Sequence, residues 1–130
     1  MRVVFDTNIF ISALVFPGKE AEKALLRVID GPDRLVLSKP IVDELLRVLA
    51  RKFARDAEQL ARTAIFLADI SEMVRPTRRL HVFKNEPDNR VLGCAVAAHA
   101  AAIVTGDRQM LAQRNFDSIA IISLRTYLES

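Results

Sequence analysis

Short runs rich in β-branched residues alternate with helix-patterned segments along the whole chain, and this alternation constrains the fold most. Residues 2–5 (Arg-Val-Val-Phe) read as a buried strand that stops at the turn cluster Asp6-Thr7-Asn8. Residues 9–15 suit a short first helix, broken at Pro17-Gly18. Residues 20–30 set Ala21, Ala24, Leu25, Val28 and Ile29 at helical spacing before Gly31-Pro32. Residues 35–37 read as a second strand. Ser38 then offers a hydroxyl N-cap, Pro40 suits an opening helical turn, and Ile41, Leu45, Val48, Leu49 and Phe53 line one apolar stripe. Ala57, Leu60, Ala61, Ala64, Leu67 and Ala68 line another. Residues 73–75 suggest a brief strand, followed by a basic loop through Lys84. Residues 88–100 form a helix that is apolar on nearly all sides. Residues 103–104 read as a strand ending at Thr105-Gly106-Asp107, residues 119–122 as a last strand, and residues 124–128 as a closing helix. Strands alternating with helices predict a parallel sheet covered on both faces.

Composition narrows the class. At 130 residues the chain suits one domain, residues 1–130, large enough for a core without metals or disulfides. The single cysteine, Cys94, leaves no intramolecular disulfide and no cysteine-based zinc site. Aromatic residues are 6% of the chain and Trp is absent, so base stacking is not its main binding device. The apolar run 91–104 is too short to span a bilayer, and Asp6 interrupts the N-terminus before a signal-peptide core forms. The expectation is a soluble, cytoplasmic protein without a membrane partner. The formal charge is only +3, yet the pI is about 9.4. If several acids share one pocket, the remaining surface is more basic than that net charge suggests, which suits a polyanionic substrate.

Four acids occupy positions where they can converge. Asp6 and Asp107 follow strands directly, while Glu44 and Asp88 fall in first helical turns, after Ser38-Lys39-Pro40 and after Pro87. Open parallel sheets bind ligands outside the carboxyl ends of their strands. Each acid also has an ordinary reading as a helix cap or turn residue. Gathering four carboxylates without a cation is costly, because like charges resist ionising together, and hard oxygen ligands select magnesium or manganese.

Other chemistries lack their residues. The chain has no Gly-x-Gly-x-x-Gly, no Gly-x-x-x-x-Gly-Lys and no Gly-x-Ser-x-Gly. His81 and His99 are not at ligand spacing, so His81 reads as a loop residue and His99 as packed at a helix end. Cys94 reads as a small core residue.

Val3-Val4-Phe5-Asp6-Thr7-Asn8, Ser38-Lys39-Pro40-Ile41-Val42-Asp43-Glu44-Leu45, Pro87-Asp88-Asn89 and Ile103-Val104-Thr105-Gly106-Asp107 resemble, in order, the four motifs of PIN domains. The likeness covers essentially the full chain and is greatest to the prokaryotic VapC-like toxin group. It implies a three-layer α/β/α sandwich around a central parallel sheet. It implies a metal-dependent ribonuclease hydrolysing RNA phosphodiester bonds, acting as the toxin component of a type II toxin–antitoxin system. The family's acids fall on Asp6, Glu44, Asp88 and Asp107, as catalytic residues and ligands of Mg2+ or Mn2+. Asn8 and Thr105 take supporting positions behind those ligands. The third motif also admits a one-residue shift that puts Asn89 in place of Asp88. Two departures stand out: Asn85, Glu86 and Asn89 surround Asp88, and Gln109 stands where many relatives carry another acid. The implied partners are RNA, a cognate antitoxin and a second copy of the chain.

The basic residues are the natural RNA contacts. Arg47, Arg51 and Arg55 recur every four positions beside Lys52, while Arg75, Arg78, Arg79 and Lys84 make a basic loop. Both groups also suit a solvated surface. The competing function is a PIN-like nucleic-acid-binding module with weak or no catalysis. A receiver-like phosphoryl acceptor built on Asp6 lacks the lysine it needs after residue 104. The apolar residues on and beside the stripe 57–68, including Ile65 and Phe66, exceed one monomer's core and predict a homodimer through that helix.

Overall fold

The structure, a computed structural model, describes residues 1–130 throughout. Its strands are β1 (Arg2–Phe5), β2 (Arg34–Ser38), β3 (Glu72–Val74), β4 (Ala102–Val104), β5 (Asn115–Phe116) and β6 (Ile119–Ile122). Its helices are α1 (Thr7–Val15), α2 (Glu20–Asp30), α3 (Lys39–Phe53), α4 (Ala57–Ile70), α5 (Glu86–Ala98), α6 (Arg108–Gln113) and α7 (Leu124–Glu129). The six strands form one sheet in the order β3-β2-β1-β4-β6-β5. All neighbours pair in parallel except β5 with β6. The expected central parallel sheet is present, and it gains one antiparallel edge strand through a short hairpin that turns back at Asp117, whose φ is 52°.

Successive side chains of a strand face opposite sides of a sheet, yet Val3, Val4 and Phe5 are all fully buried. Both faces of the sheet are therefore covered, giving a three-layer α/β/α sandwich. Helix α5 lies across β1, β2, β3 and β4, while α2 packs on β2 and contacts α1 and α7. Ile41, Leu45 and Leu49 of α3 are buried, one per helical turn, as their spacing requires. No helix is long and apolar enough to cross a membrane.

The chain ends are tied to the floor of the sheet. Phe5 and Tyr127 meet edge to face with ring centroids 5.7 Å apart, and the Arg27 guanidinium lies 5.0 Å over the Tyr127 ring. The Tyr127 hydroxyl donates to Asp33 Oδ2 at 2.9 Å, and the Met1 ammonium donates to Asp33 Oδ1 at 3.0 Å. Burial alone would raise the Asp33 pKa, but these two donors hold it below its usual value.

Several local expectations are corrected. Ser38 stands at the N-cap of α3 but makes no capping bond; its hydroxyl is buried beside the Cys94 thiol without a hydrogen-bond partner. Helix α5 starts at Glu86, and His99 beyond its end adopts a left-handed φ of 51° that turns it to solvent rather than into packing. The third strand starts and ends one residue early, at Glu72–Val74. On α4 only Leu67 is buried, so most of the expected stripe stays uncovered in one chain. That helix begins with a reciprocal cap in which Asp56 accepts from the Gln59 amide and Gln59 accepts from the Asp56 amide.

Substituting Tyr127 by Phe should keep the ring packing and lose only the bond to Asp33, costing about 1 kcal/mol in urea denaturation. Tyr127→Ala should cost about 3–5 kcal/mol, because the cavity beneath Phe5 cannot refill. Equal losses in the two variants would mean that the hydrogen bond, not the ring, holds α7.

Candidate metal centre

Strand order reverses at β1, since β2 lies on one side of it and β4 on the other. The carboxyl ends of β1 and β4 thus border the crevice where such sheets place ligands. Asp6 stands one residue past β1, at the N-cap of α1, and is buried. It makes no capping bond with its side chain. Instead its Oδ2 accepts a hydrogen bond from the buried Thr105 hydroxyl at 2.8 Å. Thr105 also accepts from the Asp107 amide at 3.0 Å, which links the ends of the two strands through one hydroxyl.

Asp107 is both a cap and a member of the cluster. Its Oδ1 accepts from the Gln109 amide at 2.7 Å and from the Met110 amide at 3.1 Å, opening α6. Its negative charge also bears on Asp6 and on Asp88. Asp88 lies in the first turn of α5, buried, and its Oδ2 has no hydrogen-bond partner.

Electrostatics mark these three acids as one group. Burial pushes the Asp88 carboxyl up to about 6, with further contributions from the charges of Asp107 and Asp6. Burial likewise raises Asp6, opposed by the Thr105 hydroxyl and the nearby Asn8 and Thr7 amides, and reinforced by Asp107. The three carboxylates share a site but not yet one point, because no three His, Cys, Asp or Glu side chains are gathered closely enough to hold an ion unaided. Oxygen-only donors, one of them buried and unpartnered, fit a hard divalent cation that keeps part of its water shell.

The remaining expected site residues fall differently. Glu44 lies in the second turn of α3, not the first, and accepts from Arg47 Nη1 at 2.5 Å. It is not among the charges that shift Asp6 or Asp88. Asn8 is exposed and makes no side-chain hydrogen bond, so its supporting position is not seen. Asn89 faces away from the acids: its Oδ1 accepts from the Val82 and Phe83 amides and its Nδ2 donates to the Phe83 carbonyl. It thereby pins the basic loop to α5, a role that no local sequence signal announces. Arg51 is exposed, Arg55 is half-buried, and Arg78, Arg79 and Lys84 are exposed on the loop.

Comparison with known proteins places this arrangement. The family model for the PIN domain matches residues 2–109. A Methanocaldococcus jannaschii protein, MJ1680, is 27% identical over 119 residues, which is 88% of this chain and 76% of that one. Among solved structures, Rickettsia felis VapBC2, bound to a DNA fragment from its promoter, superimposes with a TM-score of 0.68 at 14% identity over 95% of this chain and 98% of that one. VapBC-1 from nontypeable Haemophilus influenzae gives 0.67 at 17% identity, over 96% and 99%. Mycobacterium tuberculosis VapC20, a toxin that cleaves the sarcin–ricin loop, gives 0.61 at 16% identity, over 91% and 98%.

The Asp88 shift has a definite sign. A raised folded pKa stabilises the fold below the unfolded value of 3.8 and forfeits that stability as pH rises through about 6. Asp88→Asn mimics the protonated form, so in chelator it should gain about 1–3 kcal/mol over the wild type at pH 7.5. The gain should vanish at pH 4. Denaturant midpoints at the two pH values measure it, and a constant difference between the proteins would refute the clustering.

Proposed function

This chain belongs to the PIN-domain family, and we propose that it is a metal-dependent ribonuclease that hydrolyses RNA phosphodiester bonds. The observation that carries the reading is the cluster of buried Asp6 and Asp88 with half-buried Asp107, whose charge adds to burial in raising the other two at a strand-order reversal. Those three would hold Mg2+ or Mn2+ through their uncommitted oxygens. A cation bound there supplies Lewis acidity, acidifying water and offsetting charge on the phosphate and the leaving oxygen.

The chain's own groups supply the order that this chemistry needs. Thr105 holds the Asp6 carboxylate by one oxygen and leaves the other free. The two amides of α6 do the same for Asp107. Glu44 is the general base once Arg47 leaves it for a substrate phosphate, because the pair is surface-accessible and such pairs break at little cost. The present Glu44–Arg47 contact also favours the second reading, a nucleic-acid-binding module with weak catalysis.

The VapBC neighbours are complexes by name, and their fold is this fold. They support a role as the toxin of a toxin–antitoxin pair, with a cognate antitoxin as partner. A homodimer is the further expectation, built on α4, where Ile65 is 63% and Phe66 38% exposed.

Asp6→Asn and Asp107→Asn should each lower Mg2+-dependent cleavage of a single-stranded RNA at least about a hundredfold, with melting temperature in chelator unchanged or raised for Asp6→Asn. Gel analysis of labelled RNA reads the outcome. Undiminished cleavage by either variant would overturn the assignment, while a wild type that binds without cutting would favour the second reading. Light scattering at tens of micromolar should show a dimer that Phe66→Glu converts to a monomer. A monomeric wild type would refute the α4 interface.

A further inference from the structure

Two buried polar side-chain atoms in this chain have no hydrogen-bond partner. One is Asp88 Oδ2, which the proposed cation accounts for. The other is the hydroxyl of Ser38, a fully buried residue at the carboxyl end of β2, and the cation alone does not account for it. Enclosing a hydroxyl without a partner is costly, and an alanine would avoid the cost, so the serine calls for a use. Its ordinary uses fail. Ser38 stands at the N-cap of α3, yet its side chain caps nothing. Pro40, two residues on, has no amide to offer, which removes one of the two groups that a capping hydroxyl serves. The Cys94 thiol beside it is only a weak acceptor, because burial pushes its pKa up to about 12 and keeps it protonated.

Strand register identifies a better acceptor. Strand β1 pairs with β2 as Arg2 to Arg34 and Val3 to Leu35, and equal steps along both strands bring Asp6 opposite Ser38. On its other side β1 pairs with β4 as Val3 to Ala102 and Phe5 to Val104, and the next step brings Asp6 opposite Thr105. Residues opposite one another in a sheet direct their side chains to the same face. The packing agrees. Phe5 meets Tyr127 of α7, so Asp6, next along the chain, turns to the other face. That is the face of α5, where Ser38 lies beside Cys94. Asp6 is thus flanked by two hydroxyls. Thr105 already donates to Asp6 Oδ2 at 2.8 Å from the β4 side, while Ser38 on the β2 side is uncommitted.

We propose that Ser38 is a positioning residue for the Asp6 carboxylate, its hydroxyl turning to donate to Asp6 from the β2 side when a divalent cation is bound. The proposal rests on the metal-dependent reading and deepens it by naming a residue that orders one of the proposed ligands. A cation holds Asp6 in its ionised form, and a carboxylate is a far stronger acceptor than a thiol. A serine hydroxyl changes partner by rotation about one bond, so the switch needs no movement of β2 or α3. Two carboxylate oxygens offer about four acceptor positions, enough for two hydroxyls and a cation together. A single donor leaves a carboxylate free to swing about that one bond. Donors on two sides fix its plane, which is how groups behind a ligand sharpen metal affinity. Ser38 acts through Asp6 and is no ligand itself.

Mn2+ binding to the full chain, followed by the electron paramagnetic resonance signal of the free ion, tests the assignment beside thermal unfolding in EDTA. Ser38→Ala should weaken Mn2+ binding about tenfold, the loss expected for a hydrogen bond to a charged group. Its melting temperature in EDTA should stay level or rise, because an unpaired buried hydroxyl has been removed. These opposite signs separate positioning from a structural role, which would lower the melting temperature and leave Mn2+ affinity unchanged. Cys94→Ala should bind Mn2+ as the wild type does. Ser38→Thr/Cys94→Ala, which keeps the hydroxyl and makes room for the added methyl, should do the same. Unchanged Mn2+ affinity or a lowered melting temperature in Ser38→Ala would overturn the proposal. So would a loss of affinity in Ser38→Thr/Cys94→Ala as large as that in Ser38→Ala, since shape and not the hydroxyl would then matter. A wild type that binds no Mn2+ would overturn the metal-dependent reading together with this one, whereas wild-type binding that Ser38→Ala leaves intact would overturn the role of Ser38 alone.

Discussion

The burial of Asp6 and Asp88 beside the charge of Asp107 is the constraint around which the rest of this molecule is arranged. Burial first, and the charges of Asp107 and Asp6 after it, push the Asp88 carboxyl up to about 6, so its ionised form opposes folding. The acids' own surroundings offset only part of that cost: the Thr105 hydroxyl and the nearby Asn8 and Thr7 amides favour ionised Asp6, two amides serve Asp107, and Asp88 Oδ2 has no partner. The opposing force comes from packing directly beneath them. Phe5 and Val104, the residues that end β1 and β4, are fully buried and sit side by side in register. A site that is unfavourable by itself is thus carried on the two most enclosed strands, where its geometry cannot relax by local opening.

That arrangement explains why Thr105 matters beyond its single bond. Its hydroxyl donates to Asp6 and accepts from the Asp107 amide, so one side chain sets the spacing between two repelling acids. Met110, buried in α6, lies against the same hydroxyl with its sulfur 3.7 Å away. Asp107 caps α6, α6 holds Met110, and Met110 backs Thr105. The cap that opens α6 therefore also fixes the Asp107 carboxylate beside Asp6.

Much of this was legible because it follows from chain order. An acid one to three residues past a β-branched run lies at a strand's carboxyl end in any parallel sheet, which locates Asp6 and Asp107 without coordinates. The helices α2, α3 and α5 were legible from their apolar spacing. What escaped has a physical reason in each case. Strand β5, two residues long, is shorter than any periodicity can register, and α6, with Met110 its one buried residue, shows no apolar stripe. The β5–β6 turn uses Asp117 at positive φ where a glycine would have announced it. Ser38 looked like a cap because its residue type is right, but its hydroxyl points into the core toward Cys94. The Glu44–Arg47 pair and the Asn89 clasp are side-chain choices among neighbours, and spacing alone does not decide them.

The two basic regions then acquire different physical meanings. Arg47 is engaged by Glu44 on α3, and Arg51 and Arg55 beyond it line none of the clefts beside α5. The cations of residues 75–79, with Arg90, stand instead along concave surface, where the fields of neighbouring charges add. On the proposed ribonuclease reading, the acidic pocket would repel a phosphate unless a cation or neighbouring basic side chains offset its charge. Helix α5 carries Asp88 in its first turn and Arg90 in the next, on different sides of one helix.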